Sequence, residues 1–411
     1  MSVIRSAGAR IARIFGPDQR AVVQSVLALL VSLVVTLVAG LLLANSQVRL
    51  EELPGLLLLV PAAIGQRGNI FGGLGSRLGT AIHTGEFTLT RRIDTILGQN
   101  MIASLALSVV AATWLAVIAW IFAGVAGVEN AMSLLDFITV AVVGGTLASL
   151  VVMAITVGLA AGSIRFGWDL DNVTAPLVTG AGDLVTLPAL LLASLLVGPS
   201  PTSEIIGAGA AVAAVIVLIG SIRSGLQLGR RVVIESLPVL ALASAISLIA
   251  GIVVEAELSS FLEEPALLIL FPAYFGMAGA LGGLLSSRLG TKVHLGLIEQ
   301  KLIPPRQARV DIRSVALLAV PIFALVGLAA HISSVIVNVS SPGAVTMLAL
   351  ATIAGIGATT VVLAVAYYGT LAAVRFGLDP DTATIPLTNS VLDLVGAFTL
   401  VVTIVILGIG T

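Results

Sequence analysis

The 411-residue sequence contains no cysteine, only three histidines and few charged side chains. Without cysteine the chain can form no disulfide, no thiolate metal site and no cysteine nucleophile. Charged residues make up 10% of the sequence, whereas a soluble domain has roughly 25%. A soluble fold is therefore excluded, and any metal ion must be bound mainly by oxygen atoms.

The scarcity of charge also restricts the partners and the chemistry. The net charge is −1 and the basic residues lie in short loops rather than in one patch, so no nucleic-acid partner is expected. We find no Ser/His pair, no histidine cluster and no two carboxylates at local helical spacing. An enzyme is therefore not expected, an intramembrane enzyme is the remote alternative, and no organic cofactor is predicted.

Hydrophobic residues fill the sequence instead, at 58% of the chain with a mean hydropathy of +1.15. Eleven runs are long enough to cross about 30 Å of hydrocarbon. They lie near 21–44, 53–82, 98–126, 134–162, 174–198, 204–222, 233–254, 265–293, 314–337, 344–372 and 383–409. The sequence therefore predicts an all-α polytopic protein of the cell membrane, with the lipid bilayer as its solvent.

The basic residues predict the orientation of these spans. With a cytoplasmic N-terminus, 18 of the 20 lysines and arginines fall on the cytoplasmic side, and only Arg49 and Arg67 do not. This is the positive-inside pattern, and a miscounted span would destroy it. The N-terminus is therefore predicted to be cytoplasmic and the C-terminus extracytoplasmic.

Two pairs of segments show that the chain is duplicated. VPAAIGQRGNIFGGLGSRLGTAIHTG at 60–85 recurs as FPAYFGMAGALGGLLSSRLGTKVHLG at 271–296, and RFGWDLDNVTAPLVTGAGDL at 165–184 recurs as RFGLDPDTATIPLTNSVLDL at 375–394. Both pairs have an offset of about 210 residues, which indicates a repeated unit of that length.

The orientation of the spans requires the two repeats to be parallel. Five spans alone would invert the second copy, but both SRLGT segments fall on the cytoplasmic side. The predicted organisation is a basic cytoplasmic segment (1–20), a first five-span repeat (21–198), a linker span (199–230) and a second five-span repeat (231–411). This arrangement is a pseudo-dimer with a pseudo-twofold axis along the membrane normal, and it predicts a functional site between the halves.

Asp183 and Asp393 are the only carboxylates well inside a hydrophobic span, and they are equivalent in the two repeats. Each lies about ten residues into its span and therefore near 15 Å depth. A carboxylate at that depth costs at least ~2.5 kcal/mol. Together the two could hold one hydrated divalent cation, and magnesium fits because it commonly keeps its waters and binds one or two carboxylates. A protonated Asp bonded to a neighbouring helix is the alternative interpretation.

Glycines recur at three- and four-residue spacing in the second span of each repeat, including Gly65 and Gly68 in the first and Gly276 and Gly279 in the second. Such a stripe usually allows two membrane helices to pack closely. Close packing is the favoured interpretation of these glycines, and lining of a pore is the alternative.

Four polar residues complete the predicted site. Asn69 offers an amide oxygen to a hydrated ion, or a hydrogen bond to another helix. Thr179 and Asn389 lie one turn before each Asp on the same helix face. Arg67 is the only basic residue deep in a span, and it is predicted either to pair with the two carboxylates or to snorkel to the outer interface.

These motifs resemble those of the MgtE family, and more closely its duplicated branch, the solute-carrier magnesium transporters of animals and their prokaryotic relatives. The resemblance rests on PAAIGQRGN with SRLGT and on DNVTAPLVTGAGDL, and it extends from about residue 20 to 408. It implies that Asp183 and Asp393 form the ion site, with Asn69 and loosened second spans nearby. Ala280 and Leu392 depart from the pattern, so the first half is expected to supply more ligands.

The expected function is transport of a divalent cation, with magnesium as the first choice of substrate. A sodium- or proton-coupled exchanger, in which one Asp carries the coupling ion, is the alternative.

Overall fold

The computed structural model describes residues 19–45, 53–90, 92–125, 127–128, 131–198, 201–255, 263–299, 301–377 and 380–409. Within these ranges the chain forms eleven long helices and no strand. They are α1 (Gln19–Asn45), α2 (Leu56–His83), α3 (Ile96–Val125), α4 (Leu134–Phe166), α5 (Leu170–Ser194), α6 (Thr202–Arg223), α7 (Gln227–Glu255), α8 (Ala266–His294), α9 (Arg306–Ile336), α10 (Ala344–Arg375) and α11 (Pro380–Ile406). Nearly all of the predicted basic segment 1–20 lies outside the described residues.

The helices correspond to the predicted spans. Ten of them are long and apolar enough to cross a membrane. The remaining one, α2, is 28 residues long and therefore about 42 Å from end to end. The predicted all-α polytopic fold is confirmed. A π-helical turn, Val140–Gly144, interrupts α4, and no feature of the sequence had indicated it.

The expectation of loosened second spans is wrong for this structure. Both α2 and α8 are continuous helices through their glycine stripes, and α8 continues through Pro272. The glycines bring neighbouring helices close while the helix stays intact. At Gly75, for example, a side chain would overlap the methyl group of Thr174 on α5.

Four helices form the centre of the bundle, namely the second and fifth helices of each half: α2, α5, α8 and α11. The first helix of each half packs between the two halves, since α1 contacts both α5 and α8 while α7 contacts both α11 and α2. The linker helix α6 packs on α3 and α4, and most of its surface is exposed. Residues that α2, α5, α8 and α11 direct inward therefore meet at the interface of the halves.

Candidate ion site

Asp183 and Asp393 both lie at this interface. Each is near the middle of its helix, α5 and α11 respectively. Asp183 is 3% exposed, and a methyl group placed on Gly276 of α8 would lie 2.6 Å from its Oδ2 atom. A methyl group on Gly65 of α2 would lie 3.1 Å from Oδ2 of Asp393. Each carboxylate therefore faces a glycine of the opposite half, which has no side chain to crowd it.

Helices α1 and α7 place a hydroxyl residue beside each carboxylate. Thr36 of α1 borders the Asp183 carboxylate at Gly276, and Ser247 of α7 occupies the equivalent place 211 residues later. The Ser247 hydroxyl donates to Oδ2 of Asp393 at 2.6 Å. The Thr36 hydroxyl instead donates to the Leu33 carbonyl in its own helix at 3.1 Å.

The two carboxylates consequently differ. In the described part of the chain, Oδ2 of Asp183 is buried and has no hydrogen-bond partner. A buried carboxylate oxygen without a donor is costly, and a cation or its water would satisfy it. Oδ2 of Asp393 already accepts a hydrogen bond from Ser247. Oδ2 of Asp183 is therefore the carboxylate oxygen that is available to accept one from a coordinated water.

A layer of amide and hydroxyl groups lies one helical turn from the carboxylates, on the side of the SRLGT segments. Asn389 on α11 donates to Oδ1 of Asn69 on α2 at 2.8 Å. Thr179 on α5 lies between Gly68 and Gly279, since methyl groups on these glycines would lie 3.8 Å from its Oγ1 and Cγ2 atoms respectively. The structure thus brings all three polar residues predicted from the sequence to one level of the interface.

A small cavity begins at this layer. Its glycine walls come from α2 and α8, as Gly68, Gly72, Gly279 and Gly283. Its polar groups are Thr174, Thr179, Ser287 and Asn389. It has room for about one water molecule. The glycine stripes, for which the sequence favours a packing role, therefore also line a polar space between the halves.

Two serines meet at the far end of this cavity. Ser76 of α2 and Ser287 of α8 share a hydrogen bond of 3.0 Å, and they are 211 residues apart. Thr179 lies beside both of the equivalent glycines Gly68 and Gly279 two turns earlier. Equivalent residues of α2 and α8 therefore match at two levels, so the two helices run side by side in the same direction.

Arg67 does not pair with either carboxylate, which corrects the pairing predicted from the sequence. Its guanidinium donates from Nη1 to Oε1 of the adjacent Gln66 at 2.9 Å, and Nε and Nη2 have no partner in the described residues. The head of the side chain points to Gly145 on α4, where any side chain would overlap Nη2. Although its Cβ lies close to Gly182, next to Asp183, the charge is directed away from the interface.

The snorkelling interpretation of Arg67 is also wrong, because the side chain is 0% exposed. Gln66 holds it inside the bundle by bonding in three directions. Besides accepting from Arg67, Gln66 donates to the Ala111 carbonyl of α3 at 2.9 Å and to the Ser244 hydroxyl of α7 at 3.1 Å. A polar cluster of Arg67 and Gln66 with Ala111 of α3 and Ser244 of α7 therefore replaces the ion pair predicted from the sequence.

Sequence reasoning missed the hydroxyl partners Thr36 and Ser247 and the contact between Ser76 and Ser287. A signal for the first two was present, since they are polar residues in hydrophobic spans at the same 211-residue offset as the motifs. The serine contact could not be read from one repeat alone, because it exists only where the two copies meet.

The donor set of the site is two carboxylates surrounded by neutral oxygens. Among the described residues, no group of three or more His, Asp or Glu side chains could hold a metal ion. Such a set does not replace the full hydration shell of a cation. It matches a divalent ion that keeps several waters and uses one or two carboxylates.

Comparison with known proteins identifies the same two regions. The profile of the MgtE family, described as a divalent cation transporter, matches residues 60–193 and again residues 271–403. The two matches contain α2 to α5 and α8 to α11 almost completely, including both carboxylates. No solved structure matches the chain significantly.

Animal proteins of solute carrier family 41 are similar to the chain. Member 2 from Xenopus laevis is 29% identical over 269 residues, which cover 61% of this chain and 46% of the frog protein. Member 2 from Gallus gallus is 29% identical over 266 residues, covering 61% of this chain and 44% of the chicken protein. Member 2 from Homo sapiens is 32% identical over 137 residues, covering 32% and 23%. The matched part of the chain thus spans less than half the length of these relatives.

Proposed function

The chain belongs to the MgtE family of divalent cation transporters, and from that premise we propose that it carries magnesium, or a divalent cation of similar chemistry, across the cell membrane. The observation that carries the proposal is the position of Asp183 and Asp393, each beside a glycine of the opposite half at the interface. Two negative charges at this depth are expensive unless a cation compensates them. A single divalent ion would compensate both.

The geometry suggests how the ion is held. Magnesium gives up water reluctantly, so the carboxylates act mainly as acceptors for its coordinated waters. Oδ2 of Asp183, which lacks an internal donor, is the first such acceptor. Asp393 is oriented by the Ser247 hydroxyl at 2.6 Å. Gly65 and Gly276 leave room beside the carboxylates because they carry no side chain.

We further propose that the two halves are parallel copies about a pseudo-twofold axis along the membrane normal. The contact between the equivalent Ser76 and Ser287 supports a twofold axis at this place, and the second match, of Gly68 with Gly279 beside Thr179, supports parallel rather than inverted copies. With α6 as the linker span, both SRLGT segments lie on the cytoplasmic side, the N-terminus is cytoplasmic and the C-terminus is extracytoplasmic. The pseudo-dimer then places the ion near the membrane midplane, between the halves.

A sodium- or proton-coupled exchanger is the second candidate, and one observation favours it. Asp393 accepts a hydrogen bond from Ser247, whereas Oδ2 of Asp183 has no partner in the described chain. Two carboxylates in unequal surroundings could serve two different ions. A requirement for a sodium or pH gradient would distinguish this exchanger from passive transport.

The test is uptake of Mg²⁺ by the purified full chain in proteoliposomes, with and without a sodium or pH gradient. Asp183→Asn and Asp393→Asn keep the size of the side chain and remove its charge. Each is expected to reduce uptake roughly ten-fold or more, because a hydrogen bond to a charged group is worth about 1.5–3 kcal/mol. Asp94→Asn is the control, since Asp94 is an exposed loop residue paired with Arg92. Normal uptake by both single variants would refute the carboxylate site.

A further inference from the structure

The cavity beside the carboxylates is a separate space with its own polar groups. Thr179 and Asn389 each precede an Asp by four residues, which places them about 6 Å from the carboxylate level along the helix axis. Beyond them the cavity continues between α2 and α8 as far as the Ser76–Ser287 contact. The proposed ion site and this cavity are therefore successive positions along the interface of the halves.

Three of the four polar groups of the cavity take part in hydrogen bonds within the described residues. Asn389 donates from Nδ2 to Asn69 at 2.8 Å, and the Thr174 hydroxyl donates to the Leu170 carbonyl at 2.7 Å. The Ser287 hydroxyl shares one hydrogen with Ser76. Asn389 and Thr174 therefore contribute oxygen atoms to the cavity lining, and the hydroxyl groups of Thr179 and Ser287 add two more.

One oxygen in particular indicates a ligand. Oδ1 of Asn389 is buried and has no hydrogen-bond partner within the described residues, and the whole side chain is only 8% exposed. Because the same amide is fixed through Nδ2 by Asn69, it cannot turn away without losing that bond. An unsatisfied acceptor on a residue that lines a space of oxygen atoms is complementary to a cation or to a water that a cation polarises.

We propose that this cavity is a second cation subsite, made of neutral oxygens and occupied by a divalent cation with part of its hydration shell. The subsite rests on the proposed function, because it lies on the path between the carboxylates and the cytoplasmic side. Neutral oxygens bind a divalent ion less tightly than carboxylates, which suits a position from which the ion is released. Two divalent ions about 6 Å apart repel each other strongly, so the two positions are occupied in turn.

The size of the cavity determines when the ion can enter. The space holds about one water molecule as the helices stand, which is too little for a magnesium ion with its full shell. Its walls are glycines of α2 and α8, so a small separation of these two helices at Ser76–Ser287 widens it. The subsite is therefore filled only when this serine contact opens.

Because the sequence has no cysteine, an introduced cysteine is the only thiol in the protein. Its position can therefore be tested with Cd²⁺, a divalent ion that binds thiolates. Asn389→Cys places a thiol in the cavity. Ser390→Cys is the matched control, since Ser390 is the next residue of α11 and its hydroxyl donates to the Pro386 carbonyl of its own helix at 2.9 Å. We expect Cd²⁺ to block Mg²⁺ uptake by Asn389→Cys at a concentration at least ten-fold lower than for Ser390→Cys. Equal sensitivity of the two variants overturns the proposal.

A second measurement needs no transport and separates the two sites. In the Asp183→Asn/Asp393→Asn background, Mg²⁺ is expected to slow maleimide labelling of Asn389→Cys, although at higher concentrations than in the presence of the carboxylates. The subsite is overturned if the labelling rate does not change with Mg²⁺, even at concentrations far above those that saturate uptake by the unaltered chain. If the unaltered chain takes up Mg²⁺ normally, that result leaves the proposed function standing. Absence of any divalent uptake by the unaltered chain would instead refute the proposed function.

A steric variant tests the same space without a thiol. In Gly279→Ala the new methyl group would lie 3.8 Å from its nearest neighbour, Thr179 Cγ2, so the fold can accept it while the cavity becomes smaller. Gly158→Ala is the control, because that glycine is exposed on α4 and has no atom within 4 Å of the added methyl group. Uptake is expected to fall several-fold only in Gly279→Ala, and equal uptake by the two variants would contradict the proposal.

Discussion

The glycines opposite the two carboxylates should not be equally replaceable. A methyl group on Gly276 would lie 2.6 Å from Asp183 Oδ2 and 2.8 Å from Cγ2 of Thr36. A methyl group on Gly65 would lie 3.1 Å from Asp393 Oδ2, with its next neighbour, the Ser247 hydroxyl, at 3.9 Å. Gly276→Ala therefore meets atoms on two sides, while Gly65→Ala meets one atom at a slightly short distance.

These distances set the expected magnitudes. In Gly65→Ala the carboxylate must retreat by a few tenths of an ångström, which should change cation affinity by less than about three-fold. In Gly276→Ala the Asp183 carboxylate, confined by Thr36, must move several tenths further. Overpacking of this kind costs about 1–3 kcal/mol. If that cost falls on the bound geometry of the carboxylate, the affinity drops by roughly 5- to 150-fold, at 1.4 kcal/mol for each factor of ten.

The assay is titration of Mn²⁺ into purified protein, with Mg²⁺ uptake measured in parallel and thermal stability as the check on folding. Thr36→Ser removes Cγ2 and keeps the hydroxyl, which reproduces the residue present at Ser247 in the second half. We expect Thr36→Ser to restore part of the affinity lost in Gly276→Ala and to have little effect alone. Equal affinities in the Gly65 and Gly276 variants, or no rescue by Thr36→Ser, would refute the assignment of these contacts to the ion site.

Three further predictions concern other parts of the interface. Arg67→Met should raise the free energy of unfolding by at least about 1 kcal/mol, because it removes a buried charge without a carboxylate partner. It should also tighten Mn²⁺ binding. A lower melting temperature of the variant would contradict this prediction. Ser76→Cys/Ser287→Cys should form a disulfide under oxidation, given the 3.0 Å contact, and block uptake until it is reduced; free thiols after oxidation would argue against the contact. A reporter after Thr411 should be extracytoplasmic and one in the loop between α8 and α9 cytoplasmic, and both on one side would refute the orientation.

The sequence is sufficient to predict the helical fold, because the signals for a membrane span are strong and local. Each run of about 20 apolar residues specifies its own helix, and the helices found in the structure coincide with the predicted runs, usually extending a few residues further. The π-helical turn Val140–Gly144 shows where local signals end. Its sequence is an ordinary apolar run that does not distinguish a π-helical turn from an α-helical one.

The sequence predicts the two carboxylates most directly because both repeats carry the same residue there. Asp183 and Asp393 stand out because a carboxylate in a span is rare and here occurs twice, and both reach the interface. Thr36 and Ser247 differ in residue type and are common in membrane helices, so neither attracts notice by itself. Their role depends on which carboxylate lies beside each helix, and that follows from the crossing of α1 and α7 between the halves.

Arg67 shows that the free-energy cost of burying a charge does not by itself identify the group that compensates the charge. The cost of burying a charge predicts some compensation, and the carboxylates were the nearest charges in the sequence pattern. In the structure the guanidinium instead occupies the space that Gly145 leaves open on α4. At the equivalent place of the second half, Gly355 faces the ring of Phe323, and Ala278 stands where Arg67 would be. The two halves therefore share their carboxylates but not the buried charge of Arg67, so the electrostatic field of the bundle is less symmetric than the repeat alone predicts.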